Sequence, residues 1–153
     1  MSKITSSDQT DKLNLSYLEG TVGYSIRRAQ IAVFRDIFAC FDDKSITLVQ
    51  FSVLAVLEDN PEITQTELAE ALAVERPRIV PIINALEERG LAKRTIREDD
   101  KRNRRLMLTP RGQALLKQLK ERFAKHERRL VEVLGGTTSK LLLTLHALTR
   151  LGH

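Results

Sequence analysis

TQTELAEALAVERPRIVPIINALEERGLAKRTIREDDKRNRRLMLTP, residues 64–110, is the stretch from which the fold is read. Thr64 and Glu67 stand at capping-box spacing, where each side chain satisfies an orphan amide at a helix start. Leu68, Ala69 and Leu72 supply a short apolar face. The Ala73-Val74 connection leaves room only for a tight turn into a second helix. Pro77 falls in that helix's first turn, where a missing amide costs little, and Ile79, Ile82, Ile83 and Leu86 recur on its inward side. Gly90 stands where a left-handed residue commonly closes a helix. Arg76, Arg78, Pro81 and Asn84 remain for the outer face. LAKRTI then reads as a strand, Arg97 to Asn103 as a polar turn, and RRLMLT as the returning strand.

Charge gathers in this second half. Between Arg89 and Arg111 nine basic residues face three acidic ones, leaving +6, whereas the whole chain carries +5. The remainder is therefore close to neutral. A charged hairpin can be no more than a solvated surface. Here, however, a capped helix pair, a terminating glycine and a basic hairpin follow one another within one short window. That order specifies a mainly α fold with a small β-hairpin wing, a winged helix-turn-helix. Concentrated cations beside it suit double-stranded DNA, because counterion release from phosphates drives most of the affinity. Arg76 and Arg78, at the start of the second helix, are placed for phosphates or guanine edges. Gln65 and Thr66, at the start of the first, suit phosphate contacts, and Asn84 a base or phosphate. Arg97, Lys101 and Arg104 add the hairpin's charge. Pro81 lies inside the reading helix, where it removes one hydrogen bond and crowds the preceding turn. A local bend and one fewer base-reading side chain are expected there.

Over roughly Leu48 to Leu116 the chain resembles the MarR family of bacterial transcription regulators. LVQFSVLAVL, TQTELAEALAV, INALEERGLAKR and above all DDKRNRRLMLTPRG carry the resemblance. The family's wing has Asp-x-Arg followed at fixed distance by Leu-Thr; here these are Asp100, Arg102, Leu108 and Thr109. The resemblance implies a homodimer with one winged domain per subunit, usually a repressor released by a small ligand. Arg102 at the wing tip is then suited to the minor groove, where a cation reads width and negative potential. Asp100 would hold that guanidinium or a neighbouring one.

The rest of the chain must supply dimerisation and sensing. Its 153 residues suffice for one domain with arms, and no apolar run approaches the ~20 residues of a membrane span. Met1 to Lys12 is polar and reads as an arm rather than a leader. A single cysteine rules out an internal disulfide framework and fits a reducing cytoplasm. Leu18, Val22, Ile26, Ala29, Val33, Ile37 and Phe41 recur at helical spacing, so Leu15 to Phe41 reads as one long helix, helix one. Ile46 to Leu57 reads as another, with Phe51, Leu54 and Leu57 inward. Thr109 can cap a long helix from Pro110 bearing Leu115, Leu119, Phe123, Leu130 and Leu134. Gly135-Gly136 breaks it before a last helix begun by Thr137 or Thr138. The expected organisation is a flexible arm (1–12), helix one for dimerisation and ligand (13–45), a DNA-binding domain (46–110) and C-terminal dimerisation helices (111–153). Such apolar flanking helices call for a two-fold interface built from both chain ends.

Helix one carries a second stripe: Tyr24, Arg27 or Arg28, Ile31, Phe34 or Arg35, and Phe38. Aromatic and aliphatic residues with arginines at one end suit a ligand with a flat apolar part and an anionic part. Equally, the aromatics could be core and the arginines solvated. GYSIRRAQIAVF is similar to helix one of a MarR subgroup that controls aromatic-acid catabolism and answers to hydroxycinnamoyl-CoA thioesters. That resemblance implies p-coumaroyl-CoA or feruloyl-CoA as effector, with Arg27, Arg28 and Arg35 on phosphate or carboxylate groups. Tyr24, Ile31, Phe34, Phe38 and Phe51 would line the acyl slot. A free aromatic acid as effector, or a redox sensor acting through Cys40, are the alternatives within the family, although a cysteine between Ala39 and Phe41 is more commonly structural. An enzyme is not expected: His126, His146 and His153 stand apart, with no metal-ligand or triad spacing. His126 and His146 are placed at the dimer helices, and no cofactor or metal is expected.

Overall fold

The computed structural model describes residues 13–41, 46–96 and 104–151. The chain divides into two compact units, residues 1–35 and residues 36–153.

In the first unit the expected single helix is broken. A short helix α1 (Ser16–Glu19) ends at Gly20, and α2 (Val22–Cys40) starts anew and runs on into the second unit. The cause is local. Thr21 spends both its amide (2.9 Å) and its hydroxyl (2.8 Å) on the Leu18 carbonyl, and the Ser25 amide then restarts the ladder on Thr21. A hydroxyl that competes for backbone acceptors interrupts helices in this way.

The second unit is built on caps. Thr47 and Gln50 close a capping box on α3 (Leu48–Asp59), and Thr64 and Glu67 close the expected one on α4 (Gln65–Ala71). Between α4 and α5 (Arg76–Glu88) the chain makes a Schellman turn: the Ala73 amide reaches Glu70 and the Val74 amide reaches Ala69. Its left-handed residue is Ala73, at φ 50°, a conformation glycine adopts at no steric cost. Gly90 (φ 65°) ends α5 in the same way, its amide reaching Glu87 and the Leu91 amide reaching Leu86.

The wing is larger than a hairpin. β2 (Ala92–Ile96) and β3 (Arg104–Leu108) pair antiparallel as read from sequence, with Ala92 opposite Leu108 and Ile96 opposite Arg104. A two-residue strand β1 (Ile63–Thr64) adds to the far side of β3, giving the order β1-β3-β2. Thr109 caps α6 (Pro110–Leu134) by accepting from the Gly112 amide at 3.0 Å. Gly135, left-handed at φ 54°, ends it. The last helix, α7 (Thr138–Leu148), follows Thr137, whose hydroxyl donates back to Leu134 rather than capping forward.

Val53, Leu54, Leu57, Leu68, Ile79, Ile83, Leu86, Leu91, Leu106 and Leu116 form the core of the winged unit. Truncating one of these leucines to alanine costs about 2–5 kcal/mol. On α6 Leu119 is buried as expected, and Leu116 is buried next to Leu115, which was expected inward and is only half-buried. α7 buries none of its residues within the chain. Among the described residues no helix is long and apolar enough to cross a membrane.

Candidate nucleic-acid interface

α5 presents two faces. Ile79, Ile83 and Leu86 are buried, while Arg76, Arg78, Pro81 and Asn84 are all exposed, as the sequence reading expected. The helix is continuous across Pro81; the missing amide leaves the Pro77 carbonyl without its partner one turn on. Arg76 lies 3.8 Å from Glu70, with both side chains about 70% exposed (68% and 70%). A pair so exposed contributes little and leaves the guanidinium available. Gln65 and Thr66 are half-buried at the start of α4, and Arg104 is exposed at the head of β3. Arg97, Asp100, Lys101 and Arg102 lie outside the described residues.

Between these elements sits a residue that the sequence reading counted only as charge. The Arg94 guanidinium pairs with the Glu87 carboxylate through Nη1 and donates from Nη2 to Asn84 Oδ1 at 2.8 Å. Its backbone amide donates to Glu87 Oε1 at 2.8 Å. With the Gln65 amide oxygen turned toward it, Gln65 accepts from Nε and Nη2 at 2.8 and 3.0 Å. One side chain of β2 therefore meets α4 and α5 together. Burial lowers the Arg94 pKa from its ordinary value, and the charge of Arg104 lowers it further. The signal was present in the strand's period of two, which puts Arg94 on the same side as buried Ala92. An inward arginine requires acceptors.

The start of α4 is held independently. Thr64 donates to the Glu67 carboxylate from its hydroxyl (2.7 Å) and its amide (2.8 Å), and Arg105 approaches that carboxylate at 3.9 Å. These contacts hold Glu67 below its ordinary pKa, the Thr64 hydroxyl first, then its amide, then the Arg105 charge.

The residues expected to take an effector are distributed along α2 and α3. Tyr24 is half-buried, and Arg27, Arg28, Ile31, Phe34 and Arg35 are exposed. Phe38 is 55% exposed. Phe51 differs: it is buried in an aromatic row, its ring 5.3 Å from Phe41 and 5.1 Å from Phe123. Two surface depressions, one lined by Glu58, Gln113, Lys117, Lys120, Glu121 and Ala124 and the other around Glu62, include none of these positions.

His126 lies on α6 but wholly inside its own chain, against Phe123 and paired through Nδ1 with Asp36. Asp36, Cys40 and His126, far apart in sequence, bring donor atoms within 4.8 Å of one another, an arrangement that sequence spacing did not suggest. Arg129 Nη2 already bonds Asp36 Oδ2 at 2.9 Å and lies 3.5 Å from Cys40 Sγ. A metal ion would have to displace that cation, so the cluster reads as an ion-paired tie from the end of α2 to α6.

The sequence profile of the MarR family matches residues 46–103. A curated protein of Thauera aromatica, assigned as a transcriptional regulatory protein for the hcr operon, is 32% identical over 134 residues, 84% of this chain and 81% of that protein. Two solved structures of the transcriptional repressor CouR are similar over almost the whole chain. One, bound to a 23-mer DNA duplex, is 41% identical with TM-score 0.82, covering 90% of this chain and 98% of the other. The second, bound to p-coumaroyl-CoA, is 40% identical with TM-score 0.80, covering 92% and 99%. With its capped helix pair, basic wing and flanking helices accounted for along nearly its full length, the chain belongs to the MarR family of transcription regulators.

Proposed function

We propose that this protein is a DNA-binding transcriptional repressor of an aromatic-acid catabolic operon, released from its operator by a hydroxycinnamoyl-CoA thioester such as p-coumaroyl-CoA or feruloyl-CoA. The observation that carries this reading is the 40–41% identity to a repressor solved both on DNA and with p-coumaroyl-CoA. Two copies hold a pseudo-palindromic operator, because recognition helices of a dimer must meet successive major grooves about 34–36 Å apart. The exposed apolar side chains Leu141, Leu142 and Leu143 of α7 support a dimer formed by the chain ends. Residues 46–110 take the DNA role, with Gln65, Thr66, Arg76, Arg78, Pro81, Asn84, Arg97, Asp100, Lys101, Arg102 and Arg104 at or near the duplex. Residues 13–45 and 111–153 take dimerisation and sensing. Arg27, Arg28 and Arg35 meet the anionic groups of the CoA, while Tyr24, Ile31, Phe34, Phe38 and Phe51 surround the phenylpropenoyl part.

Release is a population shift. To weaken operator binding a hundredfold, the effector must favour the non-binding spacing of the winged lobes by about 2.7 kcal/mol. A gel shift on the DNA upstream of this protein's own gene, titrated with aromatic acids and their CoA thioesters, tests both halves. Binding without effector and release by the thioesters alone is the expected result. Release by the free acids would identify the other effector class, and no retardation at any salt would overturn the repressor reading.

A further inference from the structure

We propose that Arg94 is a positioning residue for DNA recognition: it locks the base of the wing to the recognition helix instead of contacting phosphate. The inference rests on the reading that the chain binds DNA. Arg94 belongs to the most basic segment of the chain, so charge alone would assign it to the duplex. Its surroundings assign it inward. The guanidinium is shared by Glu87 and Asn84 of α5 and by Gln65 of α4, and its side chain is only 16% exposed. The backbone amide of the same residue is held by the second oxygen of Glu87. Both ends of the residue are thus tied to one carboxylate, which fixes the direction in which β2 leaves α5. The planar fork supplies this geometry, and an ammonium does not.

The clamp also holds two residues that face the DNA side. Asn84 and Gln65 each offer their amide oxygen to Arg94, which leaves their amide nitrogens as donors. A donor fixed in direction favours acceptor groups on the duplex, such as phosphate oxygens or purine N7. Arg94 thereby sets the polarity of these two contacts as well as the angle of the wing.

Arg94→Lys keeps the charge and loses the fork; Arg94→Gln loses both. Glu87→Gln removes the carboxylate with little change of shape, and serves if either arginine variant folds poorly. Binding is measured on operator and on unrelated duplex across a range of salt. The expected result is a roughly tenfold weaker operator affinity in all three variants, the size of one charge-assisted bond. Binding to unrelated duplex and the salt slope should stay as in the parent protein. A simple loss of folded protein would lower both affinities equally, and that outcome overturns the proposal. So does a slope reduced by about 0.9 in Arg94→Gln and restored in Arg94→Lys, the signature of one phosphate contact. Unchanged operator affinity overturns it too. If the parent protein binds no duplex, the repressor reading fails separately. Amide exchange of residues 92–96 and 104–108 then decides the clamp, with faster exchange in Arg94→Lys supporting it and unchanged exchange refuting it.

Discussion

Replacing Gly112 by alanine tests a close backbone approach in the winged unit. Gly112 lies in the first turn of α6, and its amide donates to Thr109. A Cβ there would fall well inside contact distance of the Leu91 carbonyl oxygen, 2.9 Å from its carbon and 3.2 Å from Leu108 Cδ2. That same carbonyl accepts from the Thr109 amide at 3.2 Å, while the Thr109 hydroxyl donates to Gly90 at 2.6 Å. Separation to normal contact therefore stretches the junction between the start of β2 and the start of α6. Overpacking of this kind costs about 1–3 kcal/mol, and loss of the Thr109–Leu91 bond adds about 1 kcal/mol. The better helix propensity of alanine returns about 1 kcal/mol. The net expectation is about 1–3 kcal/mol of destabilisation. For a chain of this size that lowers Tm by roughly 3–10 °C. Gly23→Ala is the control: it is helical, nothing lies within 4 Å of its Cβ position, and it should gain up to about 1 kcal/mol. Thermal unfolding of both variants at equal concentration decides the matter. Gly112→Ala as stable as the parent protein would refute the steric argument.

Three further outcomes are expected. Arg78→Ala and Arg102→Ala should each weaken operator binding and lower the salt slope by about 1; unchanged gel-shift affinity in both would reject this DNA face. Glu67 has a depressed pKa in the folded chain, so its contribution is complete above the ordinary value of 4.5 and is lost as pH falls through the depressed one. The stability gap between the parent protein and Glu67→Gln should accordingly narrow below pH 4.5, and a gap constant down to unfolding would count against the capping box as its source. Ala73→Gly should stabilise the chain by about 1 kcal/mol or less, read as a higher urea midpoint at unchanged m-value, since an L-residue at φ 50° carries a cost that glycine avoids.

Features with a local cause were legible in the sequence. Thr64 with Glu67, Thr109 before Pro110, Gly90 and Gly135 each act within a few residues, and each closes the helix end that its chemistry implies. The exposed residues of α5 were legible for a similar reason, because Ile79, Ile83 and Leu86 turn inward and leave Arg76, Arg78, Pro81 and Asn84 exposed. What escaped depends on distant partners or on fine phase. β1 is two residues long and exists because Ile63 and Thr64 meet Leu106 and Arg105. Arg94 looks like any other basic hairpin residue until Glu87 and Asn84 are brought beside it. Asp36 and His126 are separated by 90 residues yet form one pair. The break at Gly20 and Thr21 was overridden in the reading by an apolar period that continues across it, although the threonine hydroxyl takes the Leu18 carbonyl. Leu115 and Leu116 are adjacent leucines, either of which can lie near the stripe that continues to buried Leu119, and the fold turns Leu116 inward.

α7 has a consequence for how much active protein a cell can hold. None of its residues is buried within its own chain, and Leu142 and Leu143 are 49% and 71% exposed. If its folding energy comes from a second copy, mass action sets its persistence: dilution opens it, and the thermal midpoint rises with protein concentration. Newly made chains at low concentration would then show these leucines to proteases and chaperones until a partner arrives. The abundance of the regulator would be limited from below by its own association constant, so a cell would hold either a working population of the protein or very little of it.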